Sequence, residues 1–207
     1  NDTVKKGLER QMKLMPPAFM DVDRAALIRT GNTRDNLALL CDCDLVIEAI
    51  IEQLEPKKDL YARLEPVLGA NAIVASNTSG IPMKSLVAGR SKGFRSRFLG
   101  LHFFNPPRYL HLLEIIAAPD TSDETLRRAR TFCERTLGKG TIRAKDVPGF
   151  VANRLGVYGM VLALRMLDEF DLTIDEVDAL TGPALARAKS ATFRTADLTG
   201  LDVLNHV

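Results

Sequence analysis

Two apolar segments joined by a proline-containing loop constrain the fold more than any other feature of the chain. Phe98–Phe104 and Leu110–Ala117 have the apolar character of paired β-strands. If they form an antiparallel hairpin centred on Arg108, each residue faces its mirror image across that centre. His102 then lies opposite Glu114 on the neighbouring strand, close enough for the two side chains to touch.

The predicted His102–Glu114 pair has two interpretations. An imidazole next to a carboxylate can exchange a proton near neutral pH, because the carboxylate fixes the tautomer and stabilises the imidazolium. The same pair also occurs in proteins as a buried histidine that a nearby acid satisfies, with no role in catalysis. The pair by itself leaves both interpretations open.

Strands and helices alternate along the first two thirds of the chain. Continuous apolar runs predict buried strands at Asp44–Ile50 and Ala72–Ala75, and a shorter run predicts an edge strand at Thr141–Ala144. Leu27–Thr30 is predicted as a further strand, and the basic run Arg90–Arg97 as a solvated loop. The helices predicted in this region are Val4–Leu14, Arg24–Ile28, Asn36–Leu40, Leu54–Leu68, Pro82–Val87 and Ser122–Leu137. Such alternation is typical of a parallel α/β sheet, here with an antiparallel hairpin added.

The pattern becomes purely helical after Asp146-Val147-Pro148-Gly149. A long helix is predicted at Phe150–Phe170, a second at Ile174–Leu180 and a third at Ala196–Asn205. We therefore predict two domains, an α/β domain at residues 1–147 and an incomplete all-α domain at residues 148–207.

Composition excludes several classes of function. A net charge of +2 with 26% charged residues favours neither a nucleic-acid partner nor a membrane surface. No apolar run reaches the roughly 18 residues of a membrane span. Cys41, Cys43 and Cys133 are odd in number and lack the spacing of metal ligands, so no metal is expected. Free thiols in a reducing cytoplasm are the predicted state.

Four segments carry polar residues in a fixed order. They are Val46-Ile47-Glu48-Ala49-Ile50-Ile51-Glu52, Ala75-Ser76-Asn77-Thr78-Ser79-Gly80, the hairpin with His102-Phe103-Phe104-Asn105-Pro106, and Asp146-Val147-Pro148-Gly149-Phe150-Val151-Ala152-Asn153-Arg154-Leu155. In this order and at these spacings, the chain resembles the 3-hydroxyacyl-CoA dehydrogenase family from about Lys5 to its end. The resemblance implies a Rossmann-like sheet and NAD-dependent oxidation of 3-hydroxyacyl-CoA in fatty-acid β-oxidation.

The resemblance also implies a role for each matching residue. His102 is the general base that takes the proton from the 3-hydroxyl group, and Glu114 is the acid that orients it. Ser79 and Asn153 supply the hydroxyl and amide that hydrogen-bond the reacting oxygen and the base. Without the resemblance, the polar residues up to Ser79 are read equally well as a helix N-cap.

The implied cofactor contacts lie at the predicted strand ends. Glu52 and Lys57 match positions at the nicotinamide half of NAD, and Ala49 lies in the strand-end turn beneath it. Ser79 and Asn105 complete the expected cofactor-side residues. Ligands of open α/β sheets bind outside the carboxyl ends of the parallel strands, which agrees with these positions.

Two features of the family's pattern are missing from the sequence. The Gly-x-Gly-x-x-Gly turn that holds a cofactor pyrophosphate is absent, since Gly138-Lys139-Gly140 is followed by Arg143 where the third glycine should stand. We therefore expect the chain to begin after the first β-α-β unit. Gln11 and Ala18 stand where the family contacts the CoA phosphates, so no phosphate ligand is predicted.

The resemblance extends to partners. An acyl-CoA substrate is implied, and the apolar faces of the helices after Phe150 predict a homodimer. The tail Ala179–Asp202 looks like the corresponding segment of bacterial fusions in which a hydratase domain follows the dehydrogenase. The alternatives are a related hydroxyacid dehydrogenase, or a non-catalytic fragment that self-associates without binding cofactor.

Overall fold

The structure, a computed structural model, describes residues 2–200. The strands in that range are β1 (Leu45–Glu48), β2 (Ile73–Ser76), β3 (Phe98–Phe103), β4 (Leu112–Ala117) and β5 (Gly140–Ala144). The helices are α1 (Asp2–Met12), α2 (Leu54–Leu64), α3 (Met83–Leu86), α4 (Lys92–Ser96), α5 (Asp123–Arg135), α6 (Ala152–Phe170), α7 (Ile174–Thr181) and α8 (Phe193–Thr199). Short 3₁₀ helices occupy Val22–Leu27, Leu37–Leu40 and Pro183–Leu185.

The strands form a single mixed sheet in the order β1-β2-β3-β4-β5. β1, β2 and β3 run parallel, whereas β4 pairs antiparallel with β3. In that hairpin Leu99 faces Ala117 and His102 faces Glu114. The predicted register is therefore confirmed, and so is the Rossmann-like sheet with an antiparallel hairpin.

Side chains of β3 alternate between the two faces of the sheet, as the period of a strand requires. Leu99 and Leu101 pack with Ile115 of β4 and with Ala129 and Cys133 of α5 in a buried core. The opposite face of β3 carries Phe98, Gly100 and His102. This alternation places His102 on the side of the sheet away from α5.

The face of the sheet away from α5 is built around aromatic rings. Tyr61 of α2, Phe94 of α4 and Phe98 of β3 are fully buried, and the ring centroids of Tyr61 and Phe98 lie 5.2 Å apart. Gly100 lies between Phe98 and His102, where a Cβ atom would come within 3.1 Å of the Ile116 and Met83 side chains. Glycine therefore allows the Ile116 and Met83 side chains to pack closely against β3.

Two local predictions were wrong. Leu27–Thr30 contains no strand, because Val22–Leu27 is a 3₁₀ helix capped by the Asp21 side chain. The Arg90–Arg97 segment contains α4, whose first turn is capped by the Ser91 hydroxyl accepting from the Phe94 N–H. Burial of Phe94 in the aromatic layer explains why a segment rich in basic residues folds as a helix.

The end of α2 and the burial of β1 also differ from expectation. α2 ends at Leu64 instead of Leu68, since Pro66 has no N–H with which to continue the helix. β1 is only partly buried, with Ile47 40% exposed, although its apolar sequence predicted complete burial. β1 has one neighbouring strand in the described part of the sheet, so its other edge keeps solvent contact.

The chain divides into two compact units. Among the described residues, the first unit consists of 2–78 together with Met83–Arg143, and the second of Ser79–Pro82 with 144–200. The sequence did not indicate that Ser79–Pro82 would belong to the helical unit.

The helical unit is held together by specific caps. Thr173 and Glu176 form a reciprocal capping box at the start of α7. Asp178 of α7 accepts hydrogen bonds from the backbone N–H groups of Thr192, Phe193 and Arg194 at the start of α8. The predicted third helix is thus confirmed in part, as α8, while its expected end at Asn205 lies outside the described residues.

None of the helices between residues 2 and 200 combines the length and apolarity needed to cross a bilayer.

Candidate active site

The His102 and Glu114 side chains meet across the β3–β4 ladder. The His102 Nδ1 atom lies 2.6 Å from Glu114 Oε2, within hydrogen-bond distance. The Glu114 side chain has no solvent exposure, and the His102 side chain keeps 6%. The Phe104 ring contacts the imidazole edge to face, with the ring centroids 4.7 Å apart. The pair is therefore held rigidly, with the carboxylate behind the ring.

The geometry assigns different tasks to the two ring nitrogens. A carboxylate only accepts hydrogen bonds, so Nδ1 of His102 carries a proton in this contact. Nε2 is then the basic nitrogen of the neutral ring. A proton taken up at Nε2 would place a positive charge directly against the Glu114 carboxylate, which stabilises that charge. The pair can therefore act as a base whose conjugate acid is stabilised within the protein.

Asn77 links the ends of the parallel strands by hydrogen bonds next to this pair. Its backbone N–H donates to the Glu48 carbonyl at 2.8 Å, and its side-chain Oδ1 accepts from the Phe103 N–H at 2.9 Å. One residue at the end of β2 thus bonds both β1 and β3. The carboxyl ends of all three strands are fixed relative to His102.

A buried carboxylate lies beneath the end of β1. The Glu48 side chain accepts hydrogen bonds from four donors, which are Lys57 Nζ at 2.7 Å, the Ile50 N–H at 2.6 Å, the Tyr61 hydroxyl at 2.5 Å and the Ser76 hydroxyl at 2.7 Å. This side chain is completely buried. Every lone-pair direction of the carboxylate is used, which is how a buried charge becomes tolerable.

The pKa values of the network follow from these contacts. Burial alone would raise the pKa of Glu48, but the hydrogen bonds from Lys57, Tyr61, Ser76 and the Ile50 N–H outweigh it, and the pKa is lowered. Burial and the hydrogen bond to Glu48 both raise the pKa of Tyr61. At neutral pH Glu48 is therefore an anion and Tyr61 a neutral donor.

The expected nicotinamide-side residues occupy two different environments. Lys57 is buried, and its Nζ also contacts Glu52 Oε2 at 3.2 Å and the Ile50 carbonyl at 3.3 Å. The Glu52 side chain is 45% exposed and accepts a hydrogen bond from the Thr78 hydroxyl. Ala49 is exposed directly after the end of β1, before both of these residues. The structure thus brings Glu52 and Lys57 together, with Glu52 at the surface and Lys57 behind it.

The remaining predicted residues lie elsewhere in the fold. Asn105 is exposed in the loop of the β3–β4 hairpin. Ser79 and Asn153 both belong to the helical unit, Ser79 in its Ser79–Pro82 segment and Asn153 in the first turn of α6. Both are half-buried. Their roles in holding the reacting oxygen and the base remain predictions.

Glu48 was missed as a functional candidate, although two signals pointed to it. It is an acid inside an apolar run predicted to be a buried strand, where an unpaired charge is very unfavourable. Lys57 and Tyr61 stand four residues apart in a predicted helix, so they share one face. Together these signals predict a cation and a hydroxyl that meet a buried acid.

Comparisons with known proteins identify the family. Residues 1–147 match the model for the 3-hydroxyacyl-CoA dehydrogenase NAD binding domain, and residues 149–207 match the model for the C-terminal domain. A relative from Deinococcus radiodurans, named as a probable 3-hydroxyacyl-CoA dehydrogenase, is 56% identical across the whole chain. A putative fatty acid oxidation complex trifunctional enzyme from Rickettsia felis is 39% identical over 99% of the chain.

Solved structures give the same result. The crystal structure of (S)-3-hydroxybutyryl-CoA dehydrogenase from Ralstonia eutropha superimposes with a TM-score of 0.77 at 31% identity, covering 99% of this chain and 70% of that one. The present chain spans 60% of the Deinococcus relative and 28% of the Rickettsia relative. Since the two family models together match almost every residue, this chain belongs to the 3-hydroxyacyl-CoA dehydrogenase family.

Proposed function

We propose that the whole protein is an NAD-dependent L-3-hydroxyacyl-CoA dehydrogenase that oxidises 3-hydroxyacyl-CoA to 3-ketoacyl-CoA in fatty-acid β-oxidation. The observation that carries the proposal is the 2.6 Å contact between His102 and Glu114 on adjacent strands, in a chain of this family. Such a pair supplies a base that can take the proton released when a secondary alcohol is oxidised.

His102 and Glu114 of the first unit have different roles in the proposed reaction. His102 accepts the hydroxyl proton at Nε2, because its Nδ1 is engaged by Glu114. Glu114 holds the ring orientation and stabilises the imidazolium that forms. Both side chains are nearly excluded from water, so this electrostatic stabilisation is stronger than it would be in solution.

The strand-end residues fit the nicotinamide half of NAD. The partly exposed Glu52 carboxylate, past the end of β1, suits the cationic ring of the oxidised cofactor. Glu52 and the exposed Ala49 turn would hold the nicotinamide half, with Lys57 behind Glu52. We assign Asn105 and Ser79 to the cofactor-binding residues as well. The cofactor supplies the hydride acceptor that no side chain can provide.

We extend the proposal to substrate and partners. The acyl-CoA substrate would place its 3-hydroxyl at His102, with Ser79 and Asn153 bonding the reacting oxygen and the base.

We propose a homodimer and, because a trifunctional enzyme is among the relatives, a fused hydratase domain in the whole protein. Free Cys41, Cys43 and Cys133 support a cytoplasmic location.

Substitution of His102 tests the proposal. In the whole protein we expect His102→Gln to lower kcat/KM for 3-hydroxybutyryl-CoA by at least about 10², measured as NADH formation by absorbance, because the base is lost. His111→Gln is the matched control, since His111 is an exposed histidine of the same hairpin. A well-folded His102→Gln protein with a rate close to that of His111→Gln would refute the assignment.

A further inference from the structure

Two carboxylates share one ammonium group in the network around Glu48. Its described members include two carboxylates, Glu48 and Glu52, and one ammonium group, that of Lys57. Tyr61 and Ser76 contribute neutral hydroxyl donors. These members together carry a net charge of −1, although most of them are enclosed.

The position of Lys57 decides where that negative charge appears. Its Nζ lies 2.7 Å from Glu48 and 3.2 Å from Glu52, so the shorter ion pair is the inner one. The inner pair is completely desolvated, whereas Glu52 is 45% exposed. Glu48 thus shares the Lys57 ammonium group with Glu52 and holds it at the shorter distance, so this one cation does not act on Glu52 alone.

We infer that Glu48 is a positioning residue that sets the negative charge of Glu52 and thereby makes the site favour the oxidised, cationic nicotinamide over the reduced, neutral one. The inference rests on the proposed function, because that proposal places the nicotinamide half beside Glu52. Glu48 itself is buried and would act through Lys57 and Glu52 without touching the cofactor.

The neighbouring contacts explain how the position of Lys57 is maintained. Three donors other than Lys57, namely the Ile50 N–H, Tyr61 and Ser76, hold the Glu48 carboxylate in place. Lys57 is fixed in turn by the Ile50 carbonyl. With Glu48 neutral, the ammonium group would keep Glu52 as its anionic partner within this network, and the charge at the surface would be cancelled.

The test compares the affinities of NAD⁺ and NADH in the whole protein. NADH is titrated by its fluorescence, and NAD⁺ by displacement of bound NADH. We expect Glu48→Gln to raise the ratio of the NAD⁺ Kd to the NADH Kd by about tenfold, the effect of one unit charge acting over about 10 Å at an effective dielectric constant near 20. A purely structural role would weaken both affinities together.

Two further variants separate charge from structure. Glu48→Gln with Lys57→Gln removes the whole inner pair and restores the net charge of −1, so the ratio should return to within about threefold of wild type. Glu65→Gln is the matched control. Glu65 is a half-buried acid that follows the last turn of α2, at the end of the helix away from Glu48, and it pairs with Arg90. It should leave the ratio unchanged.

The outcomes are distinct. A folded Glu48→Gln protein that changes both affinities equally, or a double variant shifted as far as the single one, overturns the inference. If Glu48→Gln does not fold, Lys57→Gln alone must lower the ratio, because it makes the network more negative, and a ratio that stays constant or rises overturns the inference. If the wild-type protein binds neither form of the cofactor, the proposed function itself fails.

Discussion

Replacement of Glu114 by glutamine tests the electrostatic part of the site, because it keeps the shape of the side chain and removes its charge. When His102 takes up a proton, its charge lies about 4 Å from that of the carboxylate, and the attraction is about 4 kcal/mol at an effective dielectric constant near 20. At about 1.4 kcal/mol per tenfold in rate, complete loss would correspond to about 10³. The amide oxygen of glutamine can still accept from Nδ1, so we expect kcat/KM to fall by between about 10² and 10³.

The assay is NADH formation from saturating and subsaturating 3-hydroxybutyryl-CoA, with thermal unfolding of the same samples. The loss should appear mainly in kcat, since the imidazolium forms only as the reaction proceeds. A Glu114→Gln protein with normal unfolding and a kcat within about threefold of wild type would show that the carboxylate does not stabilise the protonated base, and the reasoning would fail.

Two further predictions concern stability. Gly100→Ala should destabilise the protein by about 1–3 kcal/mol in chemical denaturation, since its Cβ would lie 3.1 Å from Ile116 and from the Met83 sulfur; an unchanged midpoint would contradict this packing. Burial opposes ionisation of Asp178, but hydrogen bonds from the N–H groups at the start of α8 lower its pKa below the usual 3.8. Its stabilisation should therefore be present above about pH 4 and lost as pH falls through the lowered pKa. Asp178→Asn should accordingly reduce the melting temperature more at pH 7 than in acid, and an effect that does not shrink as the pH is lowered would contradict this.

The hairpin could be predicted from the sequence because its two apolar segments flank a single short loop. A register centred on Arg108 was enough to place His102 opposite Glu114. A slip of either strand by one residue would have moved one of the two side chains to the other face of the sheet and separated the pair, so the burial pattern specifies the register strongly.

The failures have a common physical origin in tertiary contacts. Nothing in the local sequence of Arg90–Arg97 shows that Phe94 is buried against Phe98, which is what makes α4 stable. Likewise, the apolar run of β1 indicates burial, but whether a strand is covered on both edges depends on its neighbours in the sheet.

The candidate site was only partly predictable for a similar reason. Polar residues at strand ends were identified because ligands of parallel sheets bind there. That Lys57 lies behind Glu52, bonded to Glu48, depends on how α2 packs against the end of β1. Only three-dimensional placement separates the side chain at the surface from the one beneath it.

The central claim, that His102 Nε2 takes the substrate proton, is tested most directly by a crystal structure of the whole protein with NAD and a 3-ketoacyl-CoA. The account predicts that Nε2 lies within hydrogen-bond distance of the 3-oxygen, about 2.6–3.2 Å, with Nδ1 still bonded to Glu114. An acyl group bound with its 3-oxygen against other side chains and away from the imidazole would contradict the account.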